Sequence, residues 1–177
     1  MTHGADGRPE YGMADSYEVS RNGLTWTFKL GDYVWSDGVP VTANDFVYAL
    51  RRIQDPAIAS QYSSNLYMIK NAAKVNATEL PPEELGVRAI DDKTLEIKLE
   101  YPAPYLPGLL THYTTYPVPE HIVEQYGEAW IQPENIVVNG PYKLAYWRTG
   151  DQLVVDANPT GFGAEDACFK RVIYFEL

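Results

Sequence analysis

Apolar and polar positions alternate strictly from Leu24 to Leu30. Leu24, Trp26, Phe28 and Leu30 fall on one side, with Thr25, Thr27 and Lys29 on the other. A period of two, carried by aromatic and β-branched residues, predicts a half-buried strand. Asp37-Gly38 supplies a tight turn, because glycine accepts positive φ without a Cβ clash. Pro40 has no amide hydrogen, so sheet pairing is expected to stop near it. Thr42 is placed to cap a helix, and Asp45 sits three residues on to answer it in a capping box. From Ala43 the period turns helical, with Phe46, Val47, Leu50 and Ile53 on one stripe until Pro56 forbids continuation.

Upstream, residues 1 to 23 are polar and glycine-rich, with Tyr17-Glu18-Val19 standing before an Asn22-Gly23 turn signal. Downstream, residues 55–65 read as a loop. A second helix is expected from about Leu66 to Ala77, with Leu66, Ile69 and Ala73 on one side. Pro81-Pro82 ends it, and Glu83 to Val87 leads into a strand. Asp91-Asp92-Lys93 then turns the chain, and Leu95, Ile97 and Leu99 alternate with Glu96, Lys98 and Glu100, which predicts a hairpin. Pro102, Pro104 and Pro107 predict a broken, short-helical connection, and Pro119 suits the first turn of a helix through about Tyr126. The last third is β in character. Strands are expected from Asn139-Gly140-Pro141-Tyr142 to Trp147, from Gln152 to Asp156, and from Val172 to Leu177. The whole predicts an α+β fold, a mixed sheet flanked by helices, without internal repeats or low-complexity tracts.

Composition narrows the function classes. At 177 residues, 45% hydrophobic and 21% charged, the chain is long enough for a substantial core, as one domain or two small ones. The net charge of −10 argues against a nucleic-acid partner, which calls for a clustered basic face. Fourteen Tyr and four Trp are enough both to fill a core and to line a pocket. With Cys168 alone, no intrachain disulfide can form. No apolar run approaches the 18 or so residues of a membrane span. The opening MTHGADGRPEYG shows neither a signal pattern nor a lipidatable cysteine, so the chain is expected to be a piece of a longer protein.

The run Trp35-Ser36-Asp37-Gly38-Val39-Pro40-Val41-Thr42-Ala43-Asn44-Asp45-Phe46-Val47-Tyr48 resembles the signature of the bacterial extracellular solute-binding proteins of the oligopeptide and dipeptide class, family 5. The likeness extends over Met13 to Val19, over Pro81 to Val87 with Asp91 to Glu96, and over Pro133 to Val137 with Asn139 to Leu144. Asn158-Pro159 also fits, whereas Thr160, Gly161 and Phe162 depart from the pattern. The resemblance implies the capture subunit of an ABC importer and a fragment of a type II periplasmic-binding-protein-like fold. It assigns residues 1–30 to part of the first lobe, 31–115 to its small extra domain, and 116–177 to the return into the first lobe, the second lobe being absent. The implied partners are a peptide ligand and an ABC permease. The implied location is periplasmic or extracellular, with a membrane link only through a lipid anchor missing here. No cofactor is called for. Self-association of the piece is expected from the apolar surface and sheet edge it exposes. Another solute, such as a nickel chelate or an oligosaccharide, fits the signature equally. A plain protein- or carbohydrate-interaction module is the reading from a different class.

Tyr62, in Ser60-Gln61-Tyr62, is the one candidate ligand-binding residue; the resemblance puts there an aromatic that reaches over the ligand edge. Trp35-Ser36-Asp37-Gly38 is read as a structural turn, with the Trp packed and the Asp bonding its own backbone. Asn139-Gly140 is likewise read as backbone geometry. For catalysis the sequence offers no residues and for metal none. His3, His112 and His121 share no ligand spacing, and Cys168 lacks a nearby His and reads as a partly buried thiol. Glu83-Glu84 and Asp91-Asp92 are adjacent carboxylates in turns, and no nucleophile-elbow, P-loop or dinucleotide fingerprint occurs. An enzyme is not expected.

Overall fold

The computed structural model describes residues 1–175. The chain forms two compact units. One joins residues 1–31 to 42–118, and the other joins residues 32–41 to the chain from 119 onward. The residues around the Trp35 turn pack with the C-terminal third.

In the first unit a short ladder of β1 (Thr2–His3) and β2 (Pro9–Glu10) precedes β3 (Ala14–Val19) and β4 (Thr25–Leu30). Helix α1 (Ala43–Gln54) and the one-turn helix α2 (Ala72–Asn76) lead to the hairpin β5 (Val87–Asp91) and β6 (Thr94–Lys98), and α3 (Leu106–Leu109) follows. The sheet order is β3-β4-β6-β5. Register puts Trp26 opposite Ile97 and Phe28 opposite Leu95, so the apolar side of β4 meets the apolar side of β6. Trp26, Phe28 and Leu30 are buried as the alternation predicts, and Val47, Leu50 and Ile53 of α1 belong to the same core. The Thr42 amide donates to the Asp45 carboxylate at 2.8 Å, the expected answer across the first turn.

The helix expected over 66–77 is much shorter. Its first residues close a 3-10 turn, Ser63–Leu66. The next pair with the end of the hairpin instead: Ile69 bridges Leu99, the Lys70 amide donates to the Lys98 carbonyl, and the Glu100 amide to the Met68 carbonyl. Asn71 then adopts φ 65°, a left-handed turn that asparagine tolerates and that restarts the chain as α2. Leu66, Ile69, Ala72 and Val75 end up buried. The side chains meet the core as their apolarity demands, but tertiary backbone pairing wins over helical propensity.

The second unit contains α4 (Glu120–Tyr126) and the sheet β7 (Tyr142–Arg148), β8 (Gln152–Ala157) and β9 (Arg171–Phe175), in that order. The expected last strand falls here as far as Phe175; its remainder lies outside the described residues. Trp35 is 2% exposed, and its amide and carbonyl bond Val39 and Gly38 at 2.8 Å each. Gly38 has φ 90°, which the turn requires. The Asp37 carboxylate accepts from the Val39 amide at 3.1 Å and lies 2.9 Å from His121 Nε2.

The α+β class stands, with two details corrected. Every ladder among the described strands is antiparallel, where a mixed sheet was expected. Most neighbours are joined by tight turns, and a short connection can only return the chain antiparallel. Cys168 is exposed rather than partly buried, because it sits in the loop before β9, its thiol 3.6 Å from the Asp166 carbonyl.

Candidate functional site

Tyr62 lies within a run of tight turns. Pro56 starts a 3-10 turn capped by the Asp55 carboxylate, which accepts from the Ala57 amide at 2.9 Å, and Ala59 follows in the left-handed region. The fully buried Gln54, at the end of α1, donates through Nε2 to the Ser63 carbonyl at 3.1 Å. That bond ties the loop to the core and fixes the place of Tyr62, whose own amide faces Ser60 Oγ at 3.3 Å. A surface loop held from below by a buried amide presents its side chain with little conformational loss.

The tyrosine does not stand alone. Its ring centroid is 4.8 Å from the His112 imidazole and 5.8 Å from the Tyr113 ring, which meets it edge-on, and His112 and Tyr113 are 4.3 Å apart. His112 opens the 3-10 turn Tyr113–Thr115, its Nδ1 2.8 Å from the Thr114 hydroxyl. Tyr62 is 38% and Tyr113 61% exposed. A hydrogen bond with the Tyr62 hydroxyl, then desolvation and the neighbouring Tyr62 charge, push the Tyr113 phenol above its ordinary range. Beside this cluster opens a cleft of about 240 Å³, lined among others by His3, Asn65, Leu66, Thr111 and His112. Thr111 Oγ1 lies 2.9 Å from His3 Nε2 across it. Ring faces with polar tips beside a largely apolar cleft edged by His3, Asn65 and Thr111 suit a ligand held by stacking, van der Waals contact and water-bridged hydrogen bonds. Sequence reading singled out Tyr62 but gave His112 no role beyond excluding it as a metal ligand, and it passed over Tyr113. The Thr111-His112-Tyr113 run of polar and aromatic residues was the available signal.

The arrangement holds no nucleophile–base–orienter chain, and among the described residues no group of three or more His, Cys, Asp or Glu is placed to hold a metal. Another expected feature, Asn139-Gly140, serves the backbone of the second unit. The Gly140 carbonyl accepts from Asn158 Nδ2 at 2.9 Å, and a Cβ on Gly161 would overlap that carbonyl. The departure from the family pattern at Thr160, Gly161 and Phe162 therefore has a local use. Gly161 permits the close approach, and Phe162 meets Tyr33 edge-on at 5.5 Å.

Residues 8–175 match the family described as bacterial extracellular solute-binding proteins, family 5 Middle. The chain belongs to this family. Among family 5 relatives, the periplasmic oligopeptide-binding protein OppA of Salmonella typhimurium is 41% identical over 97% of this chain. A probable deoxycholate-binding periplasmic protein of Escherichia coli, YgiS, is 35% identical over the same share. The crystal structure of Haemophilus influenzae OppA in complex with RPPGFSPFR superimposes with a TM-score of 0.93 at 35% identity, covering 99% of this chain. The chain spans about a third of the length of these relatives, 32% and 33% of the two curated proteins and 35% of the solved structure. By their names, these relatives are binding proteins rather than enzymes.

Proposed function

We propose that this chain is an early segment of a longer capture protein, one that takes up peptides outside the cytoplasmic membrane and delivers them to an ABC permease. Residues 1–30 and 116–177 then belong to its first lobe and 31–115 to the small extra domain on that lobe. The partner lobe lies in the part of the relatives that this chain does not span. The observation that carries the reading is the likeness, over nearly the whole chain, to proteins named for oligopeptide binding and to one solved with a nonapeptide. No chemical step is involved. Ligand binding favours lobe closure, and the permease reads the closed state. A periplasmic or lipid-anchored extracellular location follows from the same reading.

Tyr62, with His112 and Tyr113 beside it, forms the contribution of this segment to the peptide site. The test is calorimetric titration of the complete gene product with a mixed di- to pentapeptide pool. Micromolar or tighter binding is expected, and Tyr62→Ala weakens it about two- to tenfold, the worth of one aromatic contact. A complete protein that ignores every peptide overturns the reading, and unchanged affinity in the variant removes Tyr62 from the site. A second reading keeps the architecture and changes the solute. It is favoured by the 35% identity to a protein named as a probable deoxycholate-binding one, a solute of a different class. Deoxycholate in the same titration distinguishes the two.

A further inference from the structure

Gln54 ends α1 and is fully buried, yet one end of its amide is unpaired. The group 3.1 Å away is the Ser63 carbonyl, which can only accept, so the side-chain nitrogen Nε2 faces it as donor. Oε1 is buried and has no hydrogen-bond partner among the described residues. The backbone of the same residue is held from the other side. Its carbonyl, one of the last of α1 that no helical amide reaches, accepts from Asn76 Nδ2 at 3.0 Å. Asn76 Oδ1 in turn accepts from the Tyr67 hydroxyl at 2.7 Å. These bonds run from Tyr67 through Asn76 and Gln54 to Ser63, and they join α2 and the end of α1 to the residue next to Tyr62. A buried amide with one unpaired end is a poor device for stability, because the unpaired carbonyl loses its water without replacement. An apolar side chain of the same length would fill the place without that loss.

We propose that Gln54 is a positioning residue for the peptide site: it sets where the Tyr62 ring stands against His112 and Tyr113, and it contributes little to stability. The inference rests on the reading of Tyr62 as part of that site. From Asp55 to Asn65 no residue is buried, and Leu66 is the next side chain to enter the core. Within this span the Ala57 amide bonds Asp55, the Ala59 amide bonds Pro56 and the Tyr62 amide faces Ser60, so these bonds shape the loop without attaching it. The Gln54–Ser63 bond is what reaches the loop from the core, one residue from Tyr62. Without it the loop is fixed only at its two ends, and Tyr62 is free to leave the ring of His112 at 4.8 Å. Ser63 is half-buried in a surface turn, so its released carbonyl turns to water at little cost. Position and stability therefore depend on this residue in different ways.

Gln54→Met separates the two, because it keeps the length of the side chain and removes both amide groups. In the 177-residue chain, nuclear Overhauser cross-peaks join the Tyr62 ring to the rings of His112 and Tyr113. They are expected to fall at least threefold in Gln54→Met, while the thermal midpoint stays level or rises. Ile53→Val, one residue back in the core, lowers the midpoint and keeps the cross-peaks. In the complete gene product, Gln54→Met weakens binding of the di- to pentapeptide pool about two- to tenfold. It adds nothing to the loss in a Tyr62→Ala background, because it acts through that ring. Cross-peaks absent from the wild type, or kept in Gln54→Met, overturn the proposal. A midpoint lowered further than by Ile53→Val overturns it too and makes Gln54 a residue of the core alone, and so do additive losses in the double variant. If Tyr62→Ala leaves affinity unchanged, the reading of Tyr62 as a ligand contact fails, and the cross-peaks still decide whether Gln54 places the ring.

Discussion

Trp35 illustrates how a residue can be both indispensable and imperfectly accommodated. It is 2% exposed, so its ring contributes a large burial term, yet its indole Nε1 is buried with no hydrogen-bond partner among the described residues. An unpaired buried donor costs about 1–3 kcal/mol, and removing the whole ring costs about 3–5 kcal/mol. Trp35→Phe removes the donor and keeps most of the ring, so it is expected to change stability by less than about 1 kcal/mol, whereas Trp35→Ala loses several. Urea unfolding of the two variants measures the difference. Equal losses would overturn the assignment of most of the Trp35 contribution to ring burial.

Among the elements, the β5–β6 hairpin shows ionic pairing laid over apolar register. Arg88 Nε sits 2.7 Å from Glu96 Oε1, and Lys98 Nζ is 3.5 Å from the same oxygen. The Arg88 hydrogen bond, opposed by desolvation and helped by the charges of Arg88 and Lys98, holds the Glu96 carboxyl below its ordinary range. A carboxylate whose folded pKa is depressed adds stability that is full above the ordinary glutamate range and is lost as pH falls through the lowered value. Thermal melts of the wild type should therefore lose stability at acid pH partly through Glu96. Glu96→Gln should flatten that limb while lowering stability only slightly at neutral pH, because the Arg88 end of the pair is largely solvated. An unchanged acid limb in the variant would place the pH dependence in other carboxylates. The alternation of Leu95, Ile97 and Leu99 made this hairpin legible in sequence. The stretch 67–71 was not legible, because its pairing with residues 98–100 is a contact between segments thirty residues apart that no local period reports.

At the scale of the whole molecule, a clamp gains affinity and selectivity by burying its ligand between two faces. A chain spanning a third of its relatives offers Tyr62, His112 and Tyr113 on an open surface beside a cleft of about 240 Å³. Titration of the 177-residue chain with a di- to pentapeptide pool should accordingly give no micromolar binding. Such binding would mean that these residues enclose a ligand by themselves and would shift the site away from a two-lobed clamp.

Sequence alone determined the pieces whose cause is local: the period-two run of β4, the capped and Pro-limited α1, the Asp37-Gly38 turn and the β5–β6 hairpin. It also determined the family, because the Trp35 to Tyr48 signature is a contiguous string. Tertiary structure decided what depends on distant residues meeting. It brought His112 and Tyr113 to Tyr62, and it paired residues 67–71 with the hairpin instead of extending a helix. Backbone hydrogen bonds and apolar faces demand partners, but a sequence names the demand without naming who meets it.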